Sequence, residues 1–276
     1  MDQFQNNLET FLNQIGRAQS AKIVSRERLT AGAIQENWLL SVKFEGGPFN
    51  GFQEIVLRSN SFASISNSRS RAQEYALLRF AHKGGVQVPK PISLCTDMSV
   101  IGKPFFLMQR IEGIADARFV TRANRTDAER TQLLAQLGTE LAAIHCLRPS
   151  KYELPFLEKT KATAAMGVIQ RCREALDILP LAVPALEWGL RWAERNLPRS
   201  TRKVLCHRDF RTGNLMIDGN RLTGVLDWEF ADWGDPMEDI AWFCAKCWRF
   251  GVNTREAGGI GQRSDFYNYY EEKSGR

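Results

Sequence analysis

The stretch Val204–Phe230 carries acid, amide and imidazole side chains at the ends of short apolar runs. Its first apolar run predicts a strand that ends at His207-Arg208-Asp209, a position from which a side chain can face a cleft. A carboxylate placed there is able to accept a proton from a hydroxyl group. We therefore predict that Asp209 is the catalytic group of the chain.

A predicted β-hairpin follows this strand and has a polar side chain at each open end. Its arms are Leu215–Ile217 and Leu222–Leu226, separated by a polar turn. Folding the hairpin places Asn214, before the first arm, beside Asp227, after the second. Their oxygens are hard ligands of the kind that Mg²⁺ takes when phosphates and water complete its shell. The pattern thus predicts a phosphoryl-transfer centre with Asp209 opposite the metal ligands.

Each of these residues also has a structural explanation when it is taken alone. A core position explains His207, a turn explains Asp209 and a cap explains Asn214. A metal-hydrolase site would need a second histidine at ligand spacing, but His82 and His145 stand alone in the sequence. The joint pattern favours phosphoryl transfer over both alternatives.

The same spacing resembles that of the aminoglycoside phosphotransferases, a family of kinase-like enzymes to which choline and fructosamine kinases are similar. The matching residues are His207, Asp209, Asn214, Asp227, Asp235 and Asp239. The resemblance covers almost the whole chain. It implies an α+β bilobal protein-kinase-like fold, with an antiparallel sheet and a helix in an N-lobe of residues 1–110 and a mainly helical C-lobe in residues 111–276.

The resemblance also implies roles for the matching residues. Asp209, together with His207, would be the catalytic group that orients an acceptor hydroxyl and takes its proton. Asn214 and Asp227 would hold Mg²⁺, and the γ-phosphoryl group of ATP or GTP would pass to a hydroxyl of a small molecule. Asp239 would brace the catalytic loop.

In the N-lobe the resemblance marks residues that would contact the nucleotide. Arg58 ends a predicted strand where kinases carry a phosphate-binding lysine, and Glu74 matches the ion-pair partner of that lysine. Backbone groups of Gln109 and Ile111 lie in the predicted hinge and would contact a purine base. The alternatives are a solvated surface position for Glu74 and a buried edge strand for the hinge.

Two further segments bear on nucleotide binding. The ending Val56-Leu57-Arg58 is similar to that of the family branch that is fused to acyl-CoA dehydrogenases in some organisms. Thr30–Asn37 would cover the phosphates with backbone N–H groups. Because this segment holds one glycine, a plain hairpin loop explains it nearly as well.

Hydrophobic periodicity, caps and prolines predict the elements that position these residues. Strands are predicted at 23–29, 38–44 and 52–58, and helices at 1–20, 71–82, 126–149, 156–179 and 184–197. The last two helices form an insertion at about 150–203 that in the family shapes the acceptor pocket. Family members continue for several more helices after the point where this sequence stops, so we expect a truncated acceptor wall.

The composition is that of an ordinary globular protein: 276 residues, 43% hydrophobic and 25% charged. No apolar run approaches the ~20 residues that cross a bilayer, and the N-terminus lacks a basic region followed by an apolar one. No basic block is interleaved with aromatic residues. We therefore expect a cytoplasmic protein without a membrane or nucleic-acid partner.

The six cysteines are scattered in apolar surroundings, which favours reduced thiols over a disulfide framework. Cys244-x-x-Cys247 falls in a predicted helical run, Ile240–Trp248, and no second cysteine pair accompanies it. Packing is therefore a better explanation for this pair than zinc binding or redox chemistry.

Charge favours an acceptor other than an aminoglycoside. Between Arg148 and Lys203 there are eleven basic and six acidic residues, an excess of five in a chain of net charge +6. Basic surroundings repel polycationic ligands, so we expect a neutral or anionic acceptor, with a hydroxyacyl-CoA as one candidate.

Two rival functions remain at this point. An inactive kinase-like scaffold that binds nucleotide would explain Arg58 and the glycine-poor segment before it. A protein kinase is disfavoured, because Trp228-Glu229 replaces Phe-Gly and no Ala-Pro-Glu segment follows.

Overall fold

An antiparallel sheet occupies the N-terminal part of the structure, a computed structural model that describes residues 3–29, 35–61, 68–157, 163–198 and 203–275. The strands are β1 Ser20–Leu29, β2 Gln35–Glu45, β3 Gly51–Asn60, β4 Pro91–Cys95 and β5 Phe105–Gln109. Their order across the sheet is β1-β2-β3-β5-β4, and all neighbours are antiparallel. Of the predicted phosphate-covering segment, residues 30–34 lie outside the described part of the chain.

Helices pack on both faces of this sheet. They are α1 Gln3–Gly16, α2 Arg71–Lys83 and the short α3 Met98–Ile101. Side chains of β5 alternate between the faces: Phe105 and Leu107 share a core cluster with Leu12 of α1, whereas Phe106 packs in a second cluster with Leu77 of α2. Strand β3 crosses the centre of the sheet and ends beside α2, which places Arg58 against that helix.

The C-terminal part is mainly helical. Its helices are α4 Ala117–Arg122, α5 Asp127–Cys146, α6 Ala164–Asp177, α7 Pro184–Arg195, α8 Pro236–Cys244 and α9 Arg263–Ser274. Its strands are β6 Val204–Cys206, β7 Leu215–Asp218, β8 Arg221–Val225 and β9 Asp232–Gly234, paired as β6 with β9 and β7 with β8. Short 3₁₀ turns occupy Thr212–Asn214, Trp228–Phe230 and Lys246–Arg249. The α+β architecture predicted from the sequence is confirmed.

Local chemistry explains where several helices begin. Thr126 and Glu129 form the predicted capping box of α5, and Asp235 caps α8 with Pro236 in its first turn. The insertion helix predicted from residue 156 begins instead at Ala164, because the side chain of Thr163 caps it. Among the described residues, no helix is both long enough and apolar enough to cross a membrane.

The predicted helical run Ile240–Trp248 is broken in the structure. Helix α8 ends at Cys244, Ala245 is extended with φ −61° and ψ 142°, and a 3₁₀ turn follows. Periodicity alone does not reveal this break, since a single extended residue leaves the apolar spacing almost unchanged. Its consequence is that Trp248 turns back toward Trp242, 5.2 Å between ring centroids.

Candidate active site

A buried carboxylate, Asp239 of α8, holds the backbone of the segment that follows β6. The N–H groups of His207 and Arg208 donate to its two oxygens at 2.7 and 2.6 Å. Arg208 has a φ of +65°, a conformation that L side chains rarely adopt. Both hydrogen bonds therefore stabilise the turn that immediately precedes Asp209.

Asp239 is in turn anchored by His145 at the end of α5, a residue that the sequence did not single out. His145 Nε2 lies 3.0 Å from Asp239 Oδ2, and His145 Nδ1 lies 2.8 Å from the hydroxyl of Tyr270. Burial acts to raise the pKa of Asp239, but His145, His207 and the backbone donors outweigh it, so that the pKa lies below the usual value. The brace therefore keeps its negative charge.

His207 is fully buried behind Asp209. Its Nδ1 accepts a hydrogen bond from Asp209 N at 3.2 Å, so the ring proton is on Nε2, which donates to Leu226 O at 2.9 Å. Burial lowers the pKa of His207. The neutral imidazole links the catalytic segment to the end of the hairpin, and it does not face the cleft.

Three donors surround the carboxylate of Asp209. Asn214 Nδ2 donates to Oδ2, and also to Asp209 O at 3.0 Å. Trp242 Nε1 donates to Oδ1 at 2.9 Å, and Arg211 Nε donates to both oxygens at 3.0 and 3.2 Å. Neither Trp242 nor Arg211 was predicted from the sequence, although Arg211 lies only two residues after Asp209.

The β7–β8 hairpin brings Asn214 and Asp227 together as its predicted geometry requires. Leu226 N donates to Asn214 O at 2.8 Å, and Asp227 follows with the left-handed angles φ 68° and ψ 61°. Within the described residues, Asn214 Oδ1 and Asp227 Oδ2 accept no hydrogen bond. Both are hard oxygen donors, so this pair is able to hold Mg²⁺.

Arg58 connects this end of the hairpin with helix α2. Its Nε lies 2.9 Å from Glu74 Oε1, and its Nη2 contacts Asp227 Oδ1. Both Arg58 and Glu74 are buried, which excludes the solvated surface position for Glu74. Burial acts to raise the pKa of Asp227, but the charge of Arg58 outweighs it and lowers the pKa.

A second buried ion pair, not predicted from the sequence, extends this network. Arg71, the first residue of α2, contacts Glu74 and also lies 3.3 Å from Glu229. Glu229 accepts a further hydrogen bond from Gln35 Nε2 at 2.7 Å. The network thus joins β2, β3 and α2 to the segment after Asp227.

The hinge residues lie apart from these charges. Gln109 N donates to Lys90 O at 2.8 Å, so its N–H is already used, whereas the N–H of Ile111 has no partner among the described residues. Ile114 and Ile217 exchange backbone hydrogen bonds of 2.8 and 3.1 Å. The segment that directly follows the hinge is therefore fixed to β7 of the hairpin.

A family model described as the phosphotransferase enzyme family matches residues 26–273. The chain belongs to this family. Among curated proteins it is similar to acyl-CoA dehydrogenase family member 11 of Pongo abelii, 29% identical over 223 residues, which are 77% of this chain and 28% of that protein. The chain thus spans about a quarter of the length of this relative.

Solved structures of similar proteins agree with this family. A protein of Ralstonia eutropha, described as a candidate aminoglycoside phosphotransferase, is 24% identical with a TM-score of 0.75, covering 98% of this chain and 80% of that one. The streptomycin–ATP ternary complex of APH(2″)-IIa is 18% identical with a TM-score of 0.63, covering 96% and 82%. At such identities the likeness concerns the fold, and the kinase-like fold expected from the sequence is confirmed.

Proposed function

We propose that this family member transfers the γ-phosphoryl group of ATP or GTP to a hydroxyl group of a small neutral or anionic molecule. The observation that carries the proposal is a set of contacts that gathers these groups at one place: Asn214 donates to Asp209 and accepts from the backbone of Leu226, and the next residue, Asp227, contacts Arg58, which pairs with Glu74. A base, two hard oxygen donors and a buried arginine are the groups that phosphoryl transfer needs at one place.

The proposed roles follow from this geometry. Asp209 orients the acceptor hydroxyl and takes its proton, and His207 positions Asp209 through the hydrogen bond to its backbone. Asn214 and Asp227 would hold Mg²⁺, which would neutralise charge on the phosphates when bound. Because phosphoryl transfer passes through a loose transition state, positioning and charge supply most of the catalysis.

The nucleotide would lie between the hinge and the hairpin. Arg58, held by Glu74, would bind the phosphates, and it offers planar bidentate donors where kinases use a lysine. Gln109 uses its N–H within the protein, and the N–H of Ile111 has no partner among the described residues. The carbonyl group of Gln109 and the N–H of Ile111 are therefore the backbone groups proposed for a purine base. ATP is the nucleotide in the APH(2″)-IIa complex.

One contact favours the alternative of a nucleotide-binding scaffold without turnover. Arg58 contacts the same Asp227 carboxylate that is proposed for Mg²⁺. In that alternative Arg58 keeps its contact with Asp227 when nucleotide binds, so the carboxylate is not placed for catalysis. Phosphoryl transfer distinguishes the two functions, because a scaffold would bind nucleotide without transferring a phosphoryl group.

The charge argument for the acceptor changes in the light of the ion pairs. Arg171 pairs with Glu238, and Arg173 and Arg191 both pair with Glu187. Glu187 is already among the six acidic residues of this segment, so only Glu238, which lies outside it, offsets part of the basic excess. Further support for an anionic acceptor comes from the relatives. Their description as acyl-CoA dehydrogenase family members supports a hydroxyacyl-CoA as the candidate acceptor.

Transfer of radiolabel from γ-labelled ATP and GTP tests the proposal. Hydroxyacyl-CoAs, short hydroxy acids and kanamycin would be compared at low and high salt. We expect at least about tenfold higher kcat/KM for anionic hydroxylated compounds than for kanamycin, with the larger advantage at low salt because screening is weaker. Efficient turnover of kanamycin without turnover of anionic compounds would contradict the proposed acceptor. Mg²⁺-dependent nucleotide binding without any transfer would favour the scaffold.

A further inference from the structure

Two tryptophans and one arginine form a wall beside Asp209 that the proposed chemistry does not yet use. Trp242 of α8 and Trp248 of the following 3₁₀ turn meet edge to face, with an interplanar angle of 66°. The guanidinium carbon of Arg211 lies over the Trp248 ring, 4.7 Å from its centroid. Phe250 extends this aromatic surface, 6.2 Å from Trp248 between centroids.

Within the part of the chain that the structure describes, Arg211 uses one of its three nitrogens for hydrogen bonds. Its Nε donates to both oxygens of Asp209, while its two terminal nitrogens have no hydrogen-bond partner among the described residues. Its side chain is 24% exposed, so these nitrogens are reached from the solvent. The aromatic ring below holds the planar group in place and keeps its donor edge beside the base.

Two neighbouring arginines have protein acceptors for their terminal nitrogens. Arg208 donates to Asp232 Oδ2 and to Trp233 O, at 3.3 and 2.7 Å. Arg249 donates through its terminal nitrogens to Asn253 O and Cys244 O, at 3.1 and 3.0 Å. Arg211 thus differs from both, because its terminal donors point to no protein acceptor in the described part of the chain.

We infer that Arg211, Trp242 and Trp248 form an acceptor subsite that binds an anionic group of the molecule whose hydroxyl reacts at Asp209. The inference rests on the proposed function. A guanidinium edge recognises a planar carboxylate or a phosphate through paired N–H donors. In this arrangement the reacting hydroxyl of the acceptor would lie at Asp209, and its anionic group would lie at the far side of the Arg211 guanidinium. Apolar atoms between these two groups would contact the tryptophan pair.

The location of the subsite favours the acceptor over the nucleotide as the source of the anion. Arg211 stacks on the turn after α8, in the helical part of the chain. The arginine proposed for the nucleotide phosphates is Arg58, on a strand of the sheet and paired with α2. If replacement of Arg211 raised the KM for nucleotide equally with every acceptor, the inference would therefore be overturned.

The subsite is tested by measuring kcat/KM for short hydroxy acids and for their neutral methyl esters. The enzymes compared are the wild type, Arg211→Gln, Arg211→Lys and Trp248→Leu. The control is Arg221→Gln, because Arg221 lies at the tip of the hairpin and pairs with Asp218. In the wild type we expect about tenfold or greater preference in kcat/KM for an acid over its ester, expressed mainly in the acceptor KM. Arg211→Gln should reduce that preference to within about twofold, and Arg211→Lys should retain part of it. Trp248→Leu should lower kcat/KM for acids and for esters by similar factors.

Calorimetric titration of the same compounds separates this inference from the proposed function. Equal use of acids and esters by the wild type, or a preference that survives in Arg211→Gln, overturns the subsite while transfer itself stands. If the wild type transfers nothing but binds the acids, and Arg211→Gln abolishes that binding, the proposed function fails and the subsite stands. Absence of both transfer and binding overturns both.

Discussion

At the scale of single residues, Asp227 combines an unusual backbone with a carboxylate that contacts Arg58 through one oxygen. Its left-handed φ of 68° is costly for an L residue, and such conformations cluster at functional sites. Arg58 contacts one of its oxygens, and the other accepts no hydrogen bond within the described residues. A cation bound there would share the carboxylate with Arg58 or displace it.

Asp227→Ala is therefore expected to weaken nucleotide binding mainly when Mg²⁺ is present. The carboxylate is needed where an ion bridges protein and phosphate, and its loss leaves Arg58 free for metal-free nucleotide. We expect Kd to rise by about tenfold or more with Mg²⁺ and by less than about threefold with a chelator, measured by calorimetry. Asp218→Ala at the hairpin tip is the control. Equal losses under both conditions would refute the metal role.

The residues that the sequence analysis identified are those that a local spacing fixes. Asn214 and Asp227 flank a hairpin, so their approach follows from the turn between them. Trp242 and His145 reach the site through packing of α8 and α5, and no short spacing encodes that contact. The sequence alone therefore did not predict the contacts of these two residues.

At the scale of elements, one glycine sets how closely the hinge approaches the hairpin. Gly113 has a φ of +127°, and a Cβ at this position would lie 2.8 Å from the carbonyl carbon and oxygen of Ile217. The neighbouring bridge between Ile114 and Ile217 depends on this approach. The glycine therefore couples the proposed purine-binding segment to the strand that begins beside Asn214.

Gly113→Ala should destabilise the protein more than Gly102→Ala does. Both glycines have positive φ, but a Cβ at Gly102 meets no atom within 4 Å, so that variant reports backbone strain alone. We expect about 1 kcal/mol for Gly102→Ala and at least about 2 kcal/mol for Gly113→Ala, from urea unfolding at equilibrium. Gly113→Ala should also weaken nucleotide binding. Equal free energies of unfolding in the two variants would contradict this coupling.

Element boundaries were less predictable than element types. Strands β1 to β3 and the helix α2 were expected close to their observed places, since alternation and helical spacing are strong there. The start of α6 and the end of α8 were not, because a cap at Thr163 and one extended residue at Ala245 decide them. The break after α8 matters most, since it turns Trp248 toward Arg211.

At the scale of the whole molecule, two hydrophobic clusters are joined by buried charges. One cluster lies between α1 and the sheet, and the other fills the helical part and extends to α2. The ion pairs of Arg58 and Arg71 with Asp227 and Glu229 connect the two parts near the candidate site. Breaking one partner of a buried pair leaves an uncompensated charge, so the network restricts how these parts are arranged around the candidate site.

The most direct test of the account compares Asp209→Asn with the wild type in transfer of the γ-phosphoryl group and in binding of nucleotide. Asp209 is placed at the acceptor, while the nucleotide contacts are proposed for Arg58, Asn214 and Asp227. We predict that Asp209→Asn lowers kcat by about a hundredfold or more, while the Kd for the Mg²⁺–nucleotide complex stays within about threefold. Unfolding curves would first establish that the variant is folded. Transfer by Asp209→Asn within a few-fold of the wild-type rate would contradict the central claim.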